Sequence, residues 1–512
     1  MRRILILLLA LAMLLSLTAC GGSESGAGEN GGAAAETDKG SVNLAFNAAD
    51  TFNPYTAKTT LNKNLCSLIF DPLIKLDREF NSVNVLASSV EQSGEMIIVT
   101  LKSATFSDGS ALTPDDVVYS FNLAKNSNEK YKSMLSTVLS CSVRDAGSVI
   151  FTLSRVDANG ASLLNFPIIK IGSDNYKNED NVYLPPIGCG RYVIGENGDT
   201  LLANKSWHGG DVSIGEIRLV NAPDNESLAH SVEIGAIDYY YTDLSDCNII
   251  RMSGEKATVP LNNLVYLGVN MNMSAFSSGN MRHAISAAIN RNAVSEQGYY
   301  NNFIPANGLF LPSFKGVQGV QTIENTANIK IAIENLAKIG YNNKNDDGYL
   351  LAGNSRPLEF TLLVNKENQF RLDTANLIAR QLAAVGIKLN INAVDFERYK
   401  QLLESRNFEL YLAEVNIPYN MDISPLVLAG GSAAYGVAAV GENEVNPLQQ
   451  VISSYFAGNG GIQDIAVTAI SEMPIIPIGY RTGVLFCSEK IELNNKASVS
   501  DIFFGFEGLN LK

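Results

Sequence analysis

The chain has 512 residues, which at roughly 150 residues per structural unit sets an expectation of two to four units. Acidic residues outnumber basic ones by 52 to 38, and the resulting net charge of −14 would repel a nucleic acid. Charged residues at 18% and apolar residues at 46% exclude disorder of the whole chain, and a single long apolar run, at the extreme N-terminus, excludes a polytopic membrane protein.

That run has the layout of a secretory signal peptide. Arg2 and Arg3 form a basic start, Ile4 to Leu15 is continuously apolar, and Ser16 to Ala19 is small or mildly apolar. Leu17-Thr18-Ala19-Cys20 resembles the lipobox of bacterial lipoproteins. The resemblance implies cleavage after residue 19 and a lipid thioether on Cys20. Gly21 to Gly40 is rich in Gly, Ala, Ser and Glu and cannot bury a core, so residues 20–40 read as a lipidated cysteine and a flexible tether. The remaining cysteines, Cys66, Cys141, Cys189, Cys247 and Cys487, are odd in number and widely spaced, which points to mostly buried free thiols. One oxidised pair stays open.

Further along, Val42 to Phe46 alternates as a strand and stops at Asn53-Pro54. Met96 to Leu101 is a second strand. Thr113 caps a helix begun by Pro114, with Val117, Phe121 and Ala124 on its apolar face. Met281 to Val294 reads as one helix, and Ile329 to Ile339 as another ended by Gly340. Between Asp373 and Leu412 the pattern runs helix, Gly386 cap, strand over Ile387 to Ile391, helix over Phe396 to Arg406, and strand over Phe408 to Leu412. Strands alternating with helices predict an α/β body.

No catalytic constellation emerges, so the chain is expected to bind rather than catalyse and to need no cofactor. His208, His230 and His283 are scattered, which disfavours a metal site. The segment from Asn343 resembles a calcium loop only at its start, because its twelfth position is Asn354 rather than Glu. Asp115-Asp116 is explained by a helix dipole.

Phe106-Ser107-Asp108-Gly109, followed by Thr113-Pro114-Asp115-Asp116-Val117 and Ser120, closely resembles a signature of the family 5 extracellular solute-binding proteins, the peptide-, dipeptide- and nickel-binding receptors of ABC importers. Pro186 to Tyr192, Asn204 to Gly209, Val269-Asn270 with Met281 to Arg291, and Met473 to Ile478 are similar to further family motifs in family order. Read from their residues alone, these motifs are structural: a turn at Ser107 to Gly109, packing for Trp207, and ion pairs for Arg282 and Arg291.

The resemblance implies a two-lobed periplasmic-binding-protein-like α/β fold of the class II type, its lobes joined by two hinge strands. Lobe one would be 41–265 plus 481–512 and lobe two 266–480, with Leu264 to Asn270 and Ile475 to Tyr480 as hinge strands. It further implies a monomeric receptor at the outer face of the cell membrane, lipid-anchored, extracellular or periplasmic, that passes solute to ABC permease subunits. Oligopeptide or dipeptide is the expected ligand; a nickel chelate, opine, haem or oligosaccharide is the alternative, and a secreted carboxylate-dependent hydrolase is a reading from another class. In relatives a ligand ammonium meets an aspartate in a segment that corresponds here to Leu412 to Pro425, where the tryptophan is missing and the aspartate is displaced. Glu414 or Asp422 could supply that carboxylate, Asn47, Asp50 and Phe52 should line the cleft from lobe one, and Asn416, Tyr419 and Tyr435 are expected to wall it from lobe two.

Overall fold

The computed structural model describes residues 40–127, 129–248, 252–353, 355–441, 444–493 and 495–512. The signal peptide, Cys20 and the tether up to Lys39 lie outside the described residues, as does Asn354.

In chain order the strands are β1 (Ser41–Phe46), β2 (Ile74–Leu76), β3 (Ser82–Asn84), β4 (Ala87–Ser93), β5 (Met96–Leu101), β6 (Val138–Asp145), β7 (Ser148–Leu153), β8 (Tyr192–Ile194) and β9 (Thr200–Ala203). They continue as β10 (Glu216–Asn221), β11 (Tyr239–Thr242), β12 (Glu255–Val269), β13 (Phe303–Pro305), β14 (Glu359–Asn365), β15 (Lys388–Val394), β16 (Leu410–Asn416) and β17 (Ile476–Cys487). One sheet has the order β15-β14-β16-β12-β17-β11-β1-β10-β9-β8, with β13 beside β17. A separate sheet, β4-β5-β7-β6, packs with the helix Pro114–Lys125.

Two lobes follow from this order. The first gathers β1, β8–β11 and the smaller sheets around one core, in which Phe121, Phe151 and Phe166 meet edge-on or tilted. The second is built on β14, β15 and β16, with helices on both faces. Alternation along its strands sorts the residues cleanly. Leu362, Val364, Leu410 and Leu412 face one core, and Leu363, Tyr411 and Ala413 face the other.

Among the described residues, only β12 and β17 run through both lobes. All 12 residues of β17 are buried, which is why its sequence is nearly continuously apolar rather than alternating. The β12–β17 ladder slips between the lobes: Pro260 pairs with Thr482 but the next pair is Leu264 with Tyr480. Three residues of β12 therefore oppose Arg481 alone, and such a bulge bends the strand and raises its twist. Gly479 and Gly483 flank this point. A Cβ at Gly479 would stand 2.2 Å from the Phe303 ring and one at Gly483 2.5 Å from the Tyr241 ring, so only glycine lets β13 and β11 approach.

Several expectations need adjustment. The stripe from Met281 to Val294 is two helices, Gly279–Ala288 and Arg291–Ala293, because Ile289 turns extended and the Asn290 side chain caps the second. The strand expected over Phe408 to Leu412 is β16, shifted toward the C-terminus by its pairing with β12 from Val269↔Leu410 to Asn263↔Asn416. Among the described residues, Arg282 and Arg291 make no ion pair. Arg282 donates to the carbonyls of Phe276, Ser277, Glu472 and Met473, and Arg291 to those of Ser286, Ile289, Glu324 and Pro477. Burial without a carboxylate pushes Arg291 down to about 9. Cys66, Cys141, Cys189, Cys247 and Cys487 are free thiols.

The C-terminal tail returns to the first lobe through a buried charge network. Lys75 lies 3.1 Å from Asp71 and 2.9 Å from Asp501, and Arg191 lies 2.9 Å from Asp501 and 3.0 Å from Glu507. Trp207 Nε1 donates to Asp71 at 2.8 Å, which is where the single tryptophan serves the fold. Burial works to raise both aspartates, but Lys75 leads the neighbouring charges that outweigh it and hold both below the ordinary carboxylate range. Their contribution to stability is therefore present above the unfolded carboxylate pKa of about 3.9 and is lost as pH falls through the folded values. Arg191→Ala leaves Asp501 and Lys75 in an unbalanced buried site. We expect a loss of about 3–5 kcal/mol in urea unfolding at pH 7, and a smaller acid-induced loss below pH 4 than in the parent.

Candidate functional site

Strands β14 and β16 are parallel neighbours, so their C-terminal ends share one edge of the sheet, the edge at which open α/β sheets receive ligands. Residues leaving β16 there wall a cavity of about 390 Å³. Its second-lobe side includes Asn416, Ile417, Asn420 and Asp422; its first-lobe side is Ser133, Met134, Ser136, Thr137 and Leu163. A cavity of this size between two lobes is of ligand-binding dimensions. A second cavity, of about 420 Å³, opens on the first lobe at the C-terminal ends of β1, β10 and β11 and is lined in part by Asn47, Lys58, Tyr240 and Asp243.

Behind the first cavity, inside the hinge bulge, sits a charge cluster. Glu414 on β16 accepts from Arg481 Nε at 2.8 Å, Arg371 Nη2 at 3.1 Å and Asn263 Nδ2 at 2.7 Å. Arg481 also donates to the Asp243 carbonyl of the first lobe at 2.8 Å. Burial acts to raise Glu414, but Arg481 and Arg371 prevail and keep it below the ordinary carboxylate range. It is an ionised carboxylate already neutralised by two guanidinium groups.

At the far edge of the cavity the lobes touch directly. Arg155, just after β7, ion-pairs with Asp422 and lies over the Phe456 ring at 3.5 Å from its centroid. Asn420 Nδ2 donates to Asp157 at 2.6 Å, and Asn159 Nδ2 donates to the Asn420 carbonyl at 3.4 Å. This group of contacts forms a latch across the cleft.

The residues singled out from sequence fall into distinct positions. Asn416 and Asp422 line the interlobe cavity, and Asn416 also donates to Asn263 at 2.9 Å. Tyr419 packs against Phe80, and Tyr435 meets Tyr411 edge-on. Asn47 holds its own turn and the Pro223 carbonyl while lining the first-lobe cavity. Asp50 accepts from the backbone of Thr51, Lys58 and Thr59 and from the Thr59 hydroxyl, so it shapes the loop before helix Thr60–Ile69. Phe52 is buried and stacks on Phe46.

Arg371, Arg481 and Arg155 were missed. Arg481 had a signal: it is the one charge in the apolar run of β17, and a charge so placed requires a carboxylate partner. Arg155 had none, since its partner is 267 residues away.

With this geometry in place, the comparisons decide the family. The model of the "Bacterial extracellular solute-binding proteins, family 5 Middle" matches residues 81–436. The chain belongs to family 5 of these solute-binding proteins. It is 23% identical over 440 residues to the oligopeptide-binding protein AppA of Bacillus subtilis, covering 80% of this chain and 79% of that protein. The structure of AppA from Bacillus subtilis in complex with a nonapeptide is similar at a TM-score of 0.57 and 19% identity, covering 92% and 99% of the two chains. A nickel ABC transporter structure from Bacillus halodurans is similar at a TM-score of 0.73 and 16% identity, covering 90% and 98%. The two-lobed fold is that of these proteins, and the family is one of extracellular receptors that bind solutes rather than of enzymes.

Two outcomes follow from the charge groups. Glu414→Gln leaves Arg371 and Arg481 facing each other with no carboxylate between them and is expected to lower stability by about 3 kcal/mol in chemical denaturation. Arg155→Ala removes a half-exposed ion pair worth at most about 1 kcal/mol. Amide hydrogen exchange over residues 417–423 should then rise by up to about fivefold while the rest of the second lobe is unchanged.

Proposed function

We propose that this family 5 receptor captures a short peptide in the interlobe cleft and presents it, unaltered, to the permease of an ABC importer. The cavity walled by both lobes carries the reading. A solute held between Thr137 or Leu163 on one side and Ile417 or Asn420 on the other gains all of its contacts only when the lobes are together, so binding favours closure. Peptide is favoured over a nickel chelate by the similarity to an oligopeptide-binding protein over most of the chain. In this reading the lobes are residues 41–265 with 481–512, and 266–480, and the slip of the β12–β17 ladder at Pro260/Leu264 supports a hinge there.

The same proposal includes cleavage of the signal peptide, a lipid on Cys20, and residues 20–40 as a tether holding a monomer at the outer face of the membrane. Two observations support the anchor: the small residues before Cys20 and the low-complexity run behind it.

Native mass spectrometry of the protein mixed with a pool of di- to hexapeptides tests the ligand class. Intact peptides at one per chain are expected; turnover beyond stoichiometry, or no retained peptide, contradicts the proposal. In the producing cells, Cys20→Ser should shift the protein from the membrane fraction to the soluble one, and an unchanged distribution contradicts the anchor.

A further inference from the structure

The short helix Glu129–Met134 separates two hollows. Ser133 and Met134 face the interlobe cavity, whereas Lys130 and Tyr131 line a smaller niche of about 60 Å³ on the other side. The niche thus lies across this helix from the interlobe cavity. Val499, in its wall, packs against the core that contains Tyr411, Ala413 and Ile417 of the second lobe.

Its lining is cationic. Lys63, Lys75 and Lys130 all contribute, with Ser500 and Asn165 as neutral polar groups. Asp501 is the carboxylate in the wall, and it is shared between Lys75 and Arg191 at 2.9 Å each. Lys75 is likewise occupied by Asp71 and Asp501, so it supplies field rather than a free donor. Lys63 and Lys130 are different. They make no ion pair with any described carboxylate; Lys130 instead lays its ammonium over the Tyr131 ring, 5.4 Å from the centroid. Desolvation and then the nearby Lys63 act to lower the Lys130 pKa, while both lysine residues keep exposed surface at the mouth of the niche. Within a chain of net charge −14, three cations (Lys63, Lys75 and Lys130) and one carboxylate (Asp501) line the niche. A cleft wall that concentrates positive charge on an acidic protein draws anions toward it.

We propose that this niche is an anion subsite of the cleft, in which Lys63 and Lys130 receive an oxyanion of the bound solute, a carboxylate or a phosphate. The inference rests on the solute-receptor reading above and goes further by assigning a charge to one end of the ligand. The volume suits it: about 60 Å³ has room for some four waters, or for one carboxylate- or phosphate-sized group in their place. Tyr131 and Ser500 border the same space as neutral hydrogen-bonding groups.

The test titrates the full-length protein, by calorimetry, with one tetrapeptide pool in three forms: free, N-acetylated and C-amidated. Loss of a charge-assisted pair predicts that amidation weakens binding by at least about tenfold, while acetylation leaves it within about threefold. The Lys63→Ala/Lys130→Ala double variant should bind the free and amidated pools alike, and Lys63→Arg/Lys130→Arg should restore the preference for the free acid. Equal binding of free and amidated pools by the parent overturns the subsite and leaves the peptide-receptor reading intact; so does an unchanged preference in the double alanine variant. If no pool binds, the peptide reading fails, and the subsite is judged with inorganic phosphate and citrate. Binding lost in the alanine variant and kept in the arginine variant supports it, and no binding to the parent overturns it.

Discussion

Everything functional in this molecule depends on two strands that belong to both lobes. β12 and β17 pair antiparallel along nearly their whole length, and their register shifts at two places close together, between Pro260 and Leu264 and between Val265 and Tyr266, the first being the larger. The two halves share one sheet through these strands, and an unbroken register would hold them at a fixed angle. The bulge, flanked by Gly479 and Gly483, leaves the sheet intact on either side and concentrates bending at Leu261 to Asn263 opposite Arg481. In the proposed clamp, the cleft is the space that this bend opens or closes.

The charges are arranged around that constraint. Arg481 sits opposite the bulge, and Glu414 on β16 and Arg371 on the helix Gln369–Ala384 gather around it; Asn263 bonds to Glu414, and Asn262 to the Ile417 carbonyl just after β16. Because Arg481 also reaches the Asp243 carbonyl, the cluster ties both lobes to the same pivot. The Arg155–Asp422 pair is the opposite case: it is partly solvated and at the rim, and contributes little, while the Asn420–Asp157 hydrogen bond beside it is buried. The buried network of Asp71, Lys75, Arg191 and Asp501 lies apart from the pivot and fastens the returning tail to the first lobe.

Much of this was legible in the sequence, and the division is physical. Local patterns survived: Thr113 and Asp116 form a capping box at the helix Pro114–Lys125, and Gly340 and Gly386 take the positive φ that ends their helices. The motif from Phe106 to Ser120 identified the family because it encodes a turn and a helix start, both local. What escaped was set by distant partners. The Met281–Val294 stripe keeps its apolar period through the break at Ile289, so periodicity alone does not reveal it. The end of β16 is decided by its partner β12, about 150 residues away, and this places Glu414, expected as a candidate partner for a ligand ammonium, on the strand between two arginines. The lysines of the cationic niche come from three separate segments, and nothing in their spacing brings them together.

Small-angle X-ray scattering of the full chain, with and without the peptide pool, examines the clamp most directly. The account predicts a radius of gyration that falls on peptide addition in the parent, and a larger ligand-free value in Arg155→Ala than in the parent. A scattering profile that does not change when peptide is bound would contradict it.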